Sequence, residues 1–339
     1  MLNARGMRVI YLAFSAVPKD EWPVPNPDAV AHLYVALPDG SDLHRLTTQD
    51  DYSERDPVWS PDGSMLVYET ERVRDQTHVT IIYRMALDTL SPVYLAEGAF
   101  PRWMPDGQSV LYVAAGDEPW VWEIIEGRSL EKRRLFTEID SQSVITHATA
   151  SPDGTLFAIT LWDEEFGFRL VTDVGQTIEK CALSSRYVDT PMWSPDGRYL
   201  AFSAADDEEG TAHGICVLSR ATGDVKRISG RSYEGPFVWS PTGEYLAITD
   251  YAGSHVGLYV VSRDGAERHH LLDLNVGGAG EVYIPPPTWS SDGQYLAVKT
   301  LTPIGWEIIV HDVAENHIVH RLNWVPNPFM DISDPVWQP

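Results

Sequence analysis

The chain repeats itself. "PMWSPDGRYLAFSA" at Pro191–Ala204 has relatives in "PVWSPDGSMLVYET" from Pro57, "PRWMPDGQSVLYVA" from Pro101 and "ATASPDGTLFAITL" from Ala148. Two more copies are "FVWSPTGEYLAITD" from Phe237 and "PTWSSDGQYLAVKT" from Pro287, so the period is 43 to 50 residues. A unit of that size cannot bury its apolar face alone, and neighbouring copies must stack to make a core.

The motif explains itself as turn chemistry. In Ser-Pro-Asp-Gly, proline presets φ, aspartate bonds the local backbone, and glycine takes a positive φ without a Cβ penalty. Four residues before the glycine stands a tryptophan: Trp59, Trp103, Trp193, Trp239 or Trp289, with Ala150 in its place in the third copy. Burying each should contribute about 2–3 kcal/mol. A short apolar strand follows each glycine, then a second hairpin, as in Gly214–Leu218 with Val225–Ile228 and Gly257–Val261 with His269–Leu272. Each unit therefore reads as four short strands.

Four-strand units at this period predict an all-β, seven-bladed β-propeller. The chain ends on "DPVWQP", a first strand with Trp337, and opens on "RVIYLAFSA", a second strand. The expected architecture is thus one domain over 1–339, closed by a composite blade of 7–47 plus 334–339. The other blades fall at about 56–96, 100–137, 147–183, 190–229, 236–272 and 286–322.

These "PxWSPDGxxLAF" repeats resemble the WD40-like repeats of TolB-like propellers and of the propeller domains in the prolyl oligopeptidase family. The resemblance covers nearly the whole chain and rests on turn and packing residues, so it implies a fold and little function. The sequence reads as seven units where TolB has six, without TolB's N-terminal α/β domain and without a hydrolase domain.

Charge narrows the partner. The net charge of −24 speaks against nucleic acid, which selects basic surfaces, and against anionic membranes. No apolar run nears the roughly 20 residues that span a bilayer, so no membrane insertion is expected. The start, "MLNARGMRVIYLAFSAVP", has the look of a signal peptide. However, "VIYLAFSA" matches "RYLAFSA" inside the repeat, which favours a retained strand and a cytoplasmic protein. The TolB resemblance implies the periplasm as the alternative. Cys181 and Cys216 show no metal-ligand spacing and read as buried thiols.

The turns between first and second strands are stereotyped. The opposite face gathers the long, varied loops, where binding residues usually sit, and more than half of the acidic residues. Its candidate binding residues are Trp22, Asp51, Tyr52, Trp162, Glu164, Tyr187, Asp207, Tyr233, Tyr283 and Trp324. Acidic groups beside aromatics suit a basic or amphipathic protein or peptide, through charge and cation–π contact.

A second candidate is the register seven residues before each turn glycine: Asp56, Phe100, His147, Thr190, Pro236, Pro286 and, by extension, Asp334. With Asp189 nearby, the residues His147, Asp56, Asp189 and Asp334 could converge as a catalytic acid–base cluster or hold a divalent metal. Motifs for a P-loop, a dinucleotide fold, HExxH or a nucleophile elbow are absent, and no cofactor is expected. The leading expectation is a monomeric, non-enzymatic scaffold that binds a protein or peptide. Its rivals are a carbohydrate-active lyase or glycosidase, and a gating propeller for a separate hydrolase.

Overall fold

The computed structural model describes residues 12–16, 30–74, 77–116, 121–139, 143–162, 167–182, 188–205, 213–229, 233–252, 255–274, 286–302, 305–323 and 336–337. Every regular element among them is a β-strand. In chain order these are β1 (Leu12–Ala16), β2 (His32–Ala36), β3 (His44–Arg45), β4 (Ser53–Trp59), β5 (Met65–Arg74), β6 (Thr77–Ala86) and β7 (Pro92–Trp103). There follow β8 (Ser109–Ala114), β9 (Val121–Glu126), β10 (Lys132–Arg134), β11 (Val144–Ala150), β12 (Phe157–Trp162), β13 (Gly167–Val171) and β14 (Thr177–Ala182). Next come β15 (Val188–Trp193), β16 (Tyr199–Ala205), β17 (His213–Ser219), β18 (Val225–Arg227), β19 (Tyr233–Trp239), β20 (Tyr245–Ala252) and β21 (His255–Ser262). The last are β22 (Arg268–Leu274), β23 (Thr288–Trp289), β24 (Tyr295–Thr302), β25 (Gly305–Asp312), β26 (His317–Asn323) and β27 (Val336–Trp337).

The chain divides into two compact units, residues 1–101 with 273–339, and residues 102–272. The first unit contains the sheet β27-β1-β2-β3, the strands β4 to β6 and the sheet β23 to β26. The second contains β8 to β10 and the sheets β11 to β14, β15 to β18 and β19 to β22. The C-terminal β27 pairs antiparallel with β1, Leu12 opposite Trp337 and Ala13 opposite Val336.

Seven four-stranded blades closed into a ring are not what the sheets form. Among the described residues there are six sheets: five of four strands, and one of seven in the order β10-β9-β8-β7-β6-β5-β4. Each is an open ribbon with two edges, and none closes on itself. The merger has a local cause. Between the outer strand of one repeat and the inner strand of the next, "YLAEGAFPRW" offers none of the Asx or Ser-Pro chemistry that turns a chain. The chain therefore runs on as one strand for the 12 residues of β7, broken only by the left-handed φ of 57° at Phe100.

The motif turns form as their chemistry requires. Ser60 Oγ donates to Asp62 Oδ1 at 2.7 Å and accepts from Met65 N at 2.9 Å. Gly63 N donates to the Ser60 carbonyl at 2.8 Å, with Gly63 at φ 70°. The same pattern recurs around Ser194 and Ser290. Before the turn, at four motif positions, a buried tryptophan points its indole N–H at the neighbouring sheet. Trp59 donates to the Val336 carbonyl, Trp239 to Met192 and Trp337 to Thr288, each at 3.0 Å, and Trp193 to Thr149 at 3.2 Å. Every acceptor immediately precedes the motif position of the repeat before. Where Ala150 replaces the tryptophan, Trp122 and Phe136 pack in the cluster that holds Ala148 and Ala150. There Trp122 donates to the Ile145 carbonyl at 3.0 Å.

Candidate functional site

The inner strands carry a recurring irregularity just before the tryptophan. Their register shifts between Arg55 and Val58, Ile145 and His147, Asp189 and Met192, and Glu234 and Phe237. Such bulges re-aim side chains. The residue seven before the turn glycine sits there, and Asp56 and Phe100 adopt the left-handed region at φ 50° and 57°.

Of the four expected catalytic residues, Asp56 is exposed and lies in the first unit, whereas His147 is half-buried and lies in the second. His147 Nδ1 is 3.4 Å from Thr160 Oγ1, which is 2.8 Å from Thr146 Oγ1. The histidine thus belongs to a hydroxyl chain along β11 and β12. Asp189 is described by its backbone alone, and Asp334 lies outside the described residues. Among the described residues no three His, Cys, Asp or Glu side chains form a group able to hold a metal.

The structure gives Asp56 a companion that sequence reasoning missed. Glu69 lies on β5, opposite Arg55 in the register. Its Oε1 accepts the backbone N–H of Phe100 at 2.6 Å. Burial pushes its carboxyl up to about 7; the Phe100 N–H works against the shift and the Asp56 carboxylate adds to it. Phe100 itself is 53% exposed. A sequence signal existed: six residues after the turn glycine stand Val113, Thr160, Ser203 and Thr249, but also Glu69 and Lys299, and the last is buried at 1% exposure.

The best-described part of the varied-loop face is the segment between β3 and β4. It is held at three points. Thr47 Oγ1 accepts from Leu33 N at 3.2 Å and bonds the Glu54 carboxyl. Arg45 donates to the Gln49 carbonyl at 2.9 Å and to Asp50 Oδ1 at 2.8 Å. The Arg72 guanidinium sits 3.9 Å over the ring of Tyr52 and donates to Tyr83 Oη at 2.8 Å. Gln49 ties the bend together, donating to the Tyr52 carbonyl at 2.7 Å and accepting from Asp51 N at 2.9 Å.

Glu54, at the start of β4, is fully buried. Burial raises its pKa, opposed by bonds from Thr47 and Gln49. His32, also buried, is held down to about 4 by burial and by the Arg45 cation, against the pull of Asp50. Of the expected binding residues, Asp51 is exposed and Tyr52 half-buried. Trp162 and Tyr233 are described by their backbones alone. Trp22, Glu164, Tyr187, Asp207, Tyr283 and Trp324 lie outside the described residues. Cys216 forms no disulfide and is half-buried. No helix is long and apolar enough to cross a membrane, among the described residues.

No family model matches the chain. It is 29% identical over 179 residues to the uncharacterized peptidase YuxL of Bacillus subtilis (strain 168), a match covering 50% of the chain and 25% of that protein. It is 33% identical over 76 residues to the Tol-Pal system protein TolB of Alcanivorax borkumensis, covering 22% of the chain and 17% of that protein. The chain therefore spans a quarter or less of the curated relatives it matches.

Among solved structures, an oligogalacturonate lyase in complex with manganese has a TM-score of 0.64 at 15% identity, over 91% of this chain and 83% of that one. The β-propeller domain of the Trilobed protease from Pyrococcus furiosus, described as having an open velcro topology, has a TM-score of 0.56 at 16% identity. That match covers 79% of this chain and 84% of that one. These likenesses show the fold. It is a multi-bladed β-propeller.

Proposed function

We propose that the protein is a non-enzymatic binding scaffold that engages a basic or amphipathic protein or peptide through its acidic, aromatic-bearing loops. The observation that carries this reading is the Tyr52 ring with the Arg72 guanidinium over it at 3.9 Å, beside Asp50 and exposed Asp51. A cation lying on an aromatic beside carboxylates is the contact such a partner would make. The loop is already shaped for it, so little ordering cost would fall on binding. The sequence likeness to TolB, though short, leans the same way.

The test is titration of a fluorescent Lys/Arg-rich peptide at low and moderate salt. Saturable binding that weakens with salt and falls at least tenfold in Asp51→Lys supports the scaffold. Equal binding by wild type and Asp51→Lys removes this loop from the interface.

One observation favours a carbohydrate-active enzyme as a second reading. Glu69, with its carboxyl pushed up to about 7 beside exposed Asp56, has the split ionisation that acid–base catalysis uses. Turnover of acidic or neutral oligosaccharides, abolished in Glu69→Gln, would carry that reading; an inactive wild type would end it.

A further inference from the structure

One backbone tie recurs along the turn face. In five repeats, carried by four sheets, the residue just after the third strand donates its backbone N–H to the carbonyl of the residue after the turn glycine. The donor and acceptor pairs are Leu87 with Ser64, Gly127 with Gln108, Arg220 with Arg198, Arg263 with Glu244, and Val313 with Gln294. Only the sheet β15 to β18 puts arginine at both positions. A departure from a repeat's own rule is where function is to be sought.

Both guanidiniums border one groove. Gly197, Arg198, Tyr199, Ser219 and Arg220 line it together with Asp196, and its volume is about 590 Å³. Arg220 is fixed in place: its guanidinium lies 5.2 Å over the Trp193 ring and donates to the Gly197 carbonyl at 3.2 Å. Arg198 reaches outward with its side chain 80% exposed. A third guanidinium, that of Arg263, lies 4.8 Å over the Tyr199 ring.

The carboxylate that lines the groove is already engaged, and so is that of Asp153. Asp196 Oδ1 accepts Ser194 Oγ at 2.6 Å and Arg198 N at 3.0 Å, and its Oδ2 is 3.9 Å from Arg198 Nε. Asp153, which attracts Arg220, accepts Ser151 Oγ at 2.6 Å and Thr155 N at 3.0 Å. The groove's lining thus carries two guanidiniums and one carboxylate, which its own turn has engaged. This local excess of positive charge stands in a chain of net charge −24.

We propose that this groove is a binding site for a small phosphate or carboxylate oxyanion. Arg220 supplies a pre-oriented planar fork and Arg198 a second, mobile one, the geometry that selects phosphate and carboxylate over spherical anions. The Tyr199 ring forms a wall for an organic group attached to the anion. The site lies within the second unit and does not depend on the peptide-binding reading of the loops.

The experiment is calorimetric titration of the full chain with inorganic phosphate and with phenyl phosphate, at ionic strength matched with sodium chloride. Saturable one-site binding is expected for both, tighter for phenyl phosphate. Binding should weaken at least tenfold in Arg198→Gln, whose exposed side chain is not needed for folding. Arg220→Lys, which keeps the charge but loses the planar fork, should weaken it too. No saturable heat with either probe, or the same affinity in wild type and Arg198→Gln, overturns the proposal.

Discussion

Trp239 donates its indole N–H to the carbonyl of Met192, 3.0 Å away and 47 residues earlier in the chain. Met192 directly precedes Trp193, which holds the same motif position one repeat before. Trp193 makes the corresponding bond to Thr149, Trp59 to Val336 and Trp337 to Thr288. In these four repeats one residue therefore supplies both an apolar plug and a polar tie to the adjacent sheet. Trp289 Nε1 is buried with no partner among the described residues.

Trp239→Phe keeps most of the buried ring and removes the donor. A buried acceptor that loses its partner costs about 1–3 kcal/mol. Trp239→Ala adds a cavity and should cost about 3–5 kcal/mol. Urea unfolding of the wild type and both variants measures the difference. A Trp239→Phe midpoint equal to wild type would show that the tie contributes nothing.

Glu69 makes stability depend on pH near neutrality. Its carboxyl is raised to about 7 in the folded state, against about 4.3 in an unfolded chain. The folded state therefore holds the proton more tightly. The contribution is fully present below about pH 4.3 and is lost as pH rises through 7. Glu69→Gln cannot titrate and should gain on wild type between pH 4 and 7, with the gap constant above. Melting temperatures across pH 4 to 8 check this; parallel profiles would mean that Glu69 titrates normally.

Thr47→Val should loosen the β3–β4 segment. It strips the acceptor from Leu33 N and the hydroxyl from the buried Glu54 carboxyl. The expected cost is about 1–3 kcal/mol, with faster amide exchange over residues 47–53, while Thr47→Ser should stay close to wild type. Unchanged exchange in Thr47→Val would show that the segment is held elsewhere.

Asp153 contributes in the opposite sense to Glu69. Bonds from Ser151 and Thr155 lower its carboxyl to about 2, against about 3.9 unfolded. Its contribution is present above about pH 3.9 and lost as pH falls toward 2. Asp153→Asn should cost less than about 1 kcal/mol at pH 7, because the turn is exposed to solvent, and should flatten the acid limb of the stability profile. Acid titrations followed by tryptophan fluorescence compare the two; identical acid limbs would contradict the assignment.

Much of the local structure was legible. The turns, the buried tryptophans and the strands after each glycine follow from short-range rules: proline and glycine dihedrals, aspartate bonds to nearby backbone, and alternating apolar residues. The substitution at Ala150 was visible too, but its repair by Trp122 was not, because Trp122 comes from the preceding sheet. Likewise the polar stretch "TTQDDYSERD" gives no local sign that Glu54 is buried. Its burial depends on Thr47, Gln49 and Leu33 closing around it.

The sequence by itself determined the repeat, the strand order within each four-strand unit and the pairing of β27 with β1, because these depend on neighbours in the chain and on matching motif halves at its ends. Tertiary structure alone decided that β4 to β10 share one sheet, since an extended strand reveals no boundary until its hydrogen-bond partners on both edges are known. It alone raised the Glu69 carboxyl beside Asp56 and set Arg198 against Arg220. Electrostatic pairing and burial act across space, and the repeat marks those positions along the chain without showing what they face.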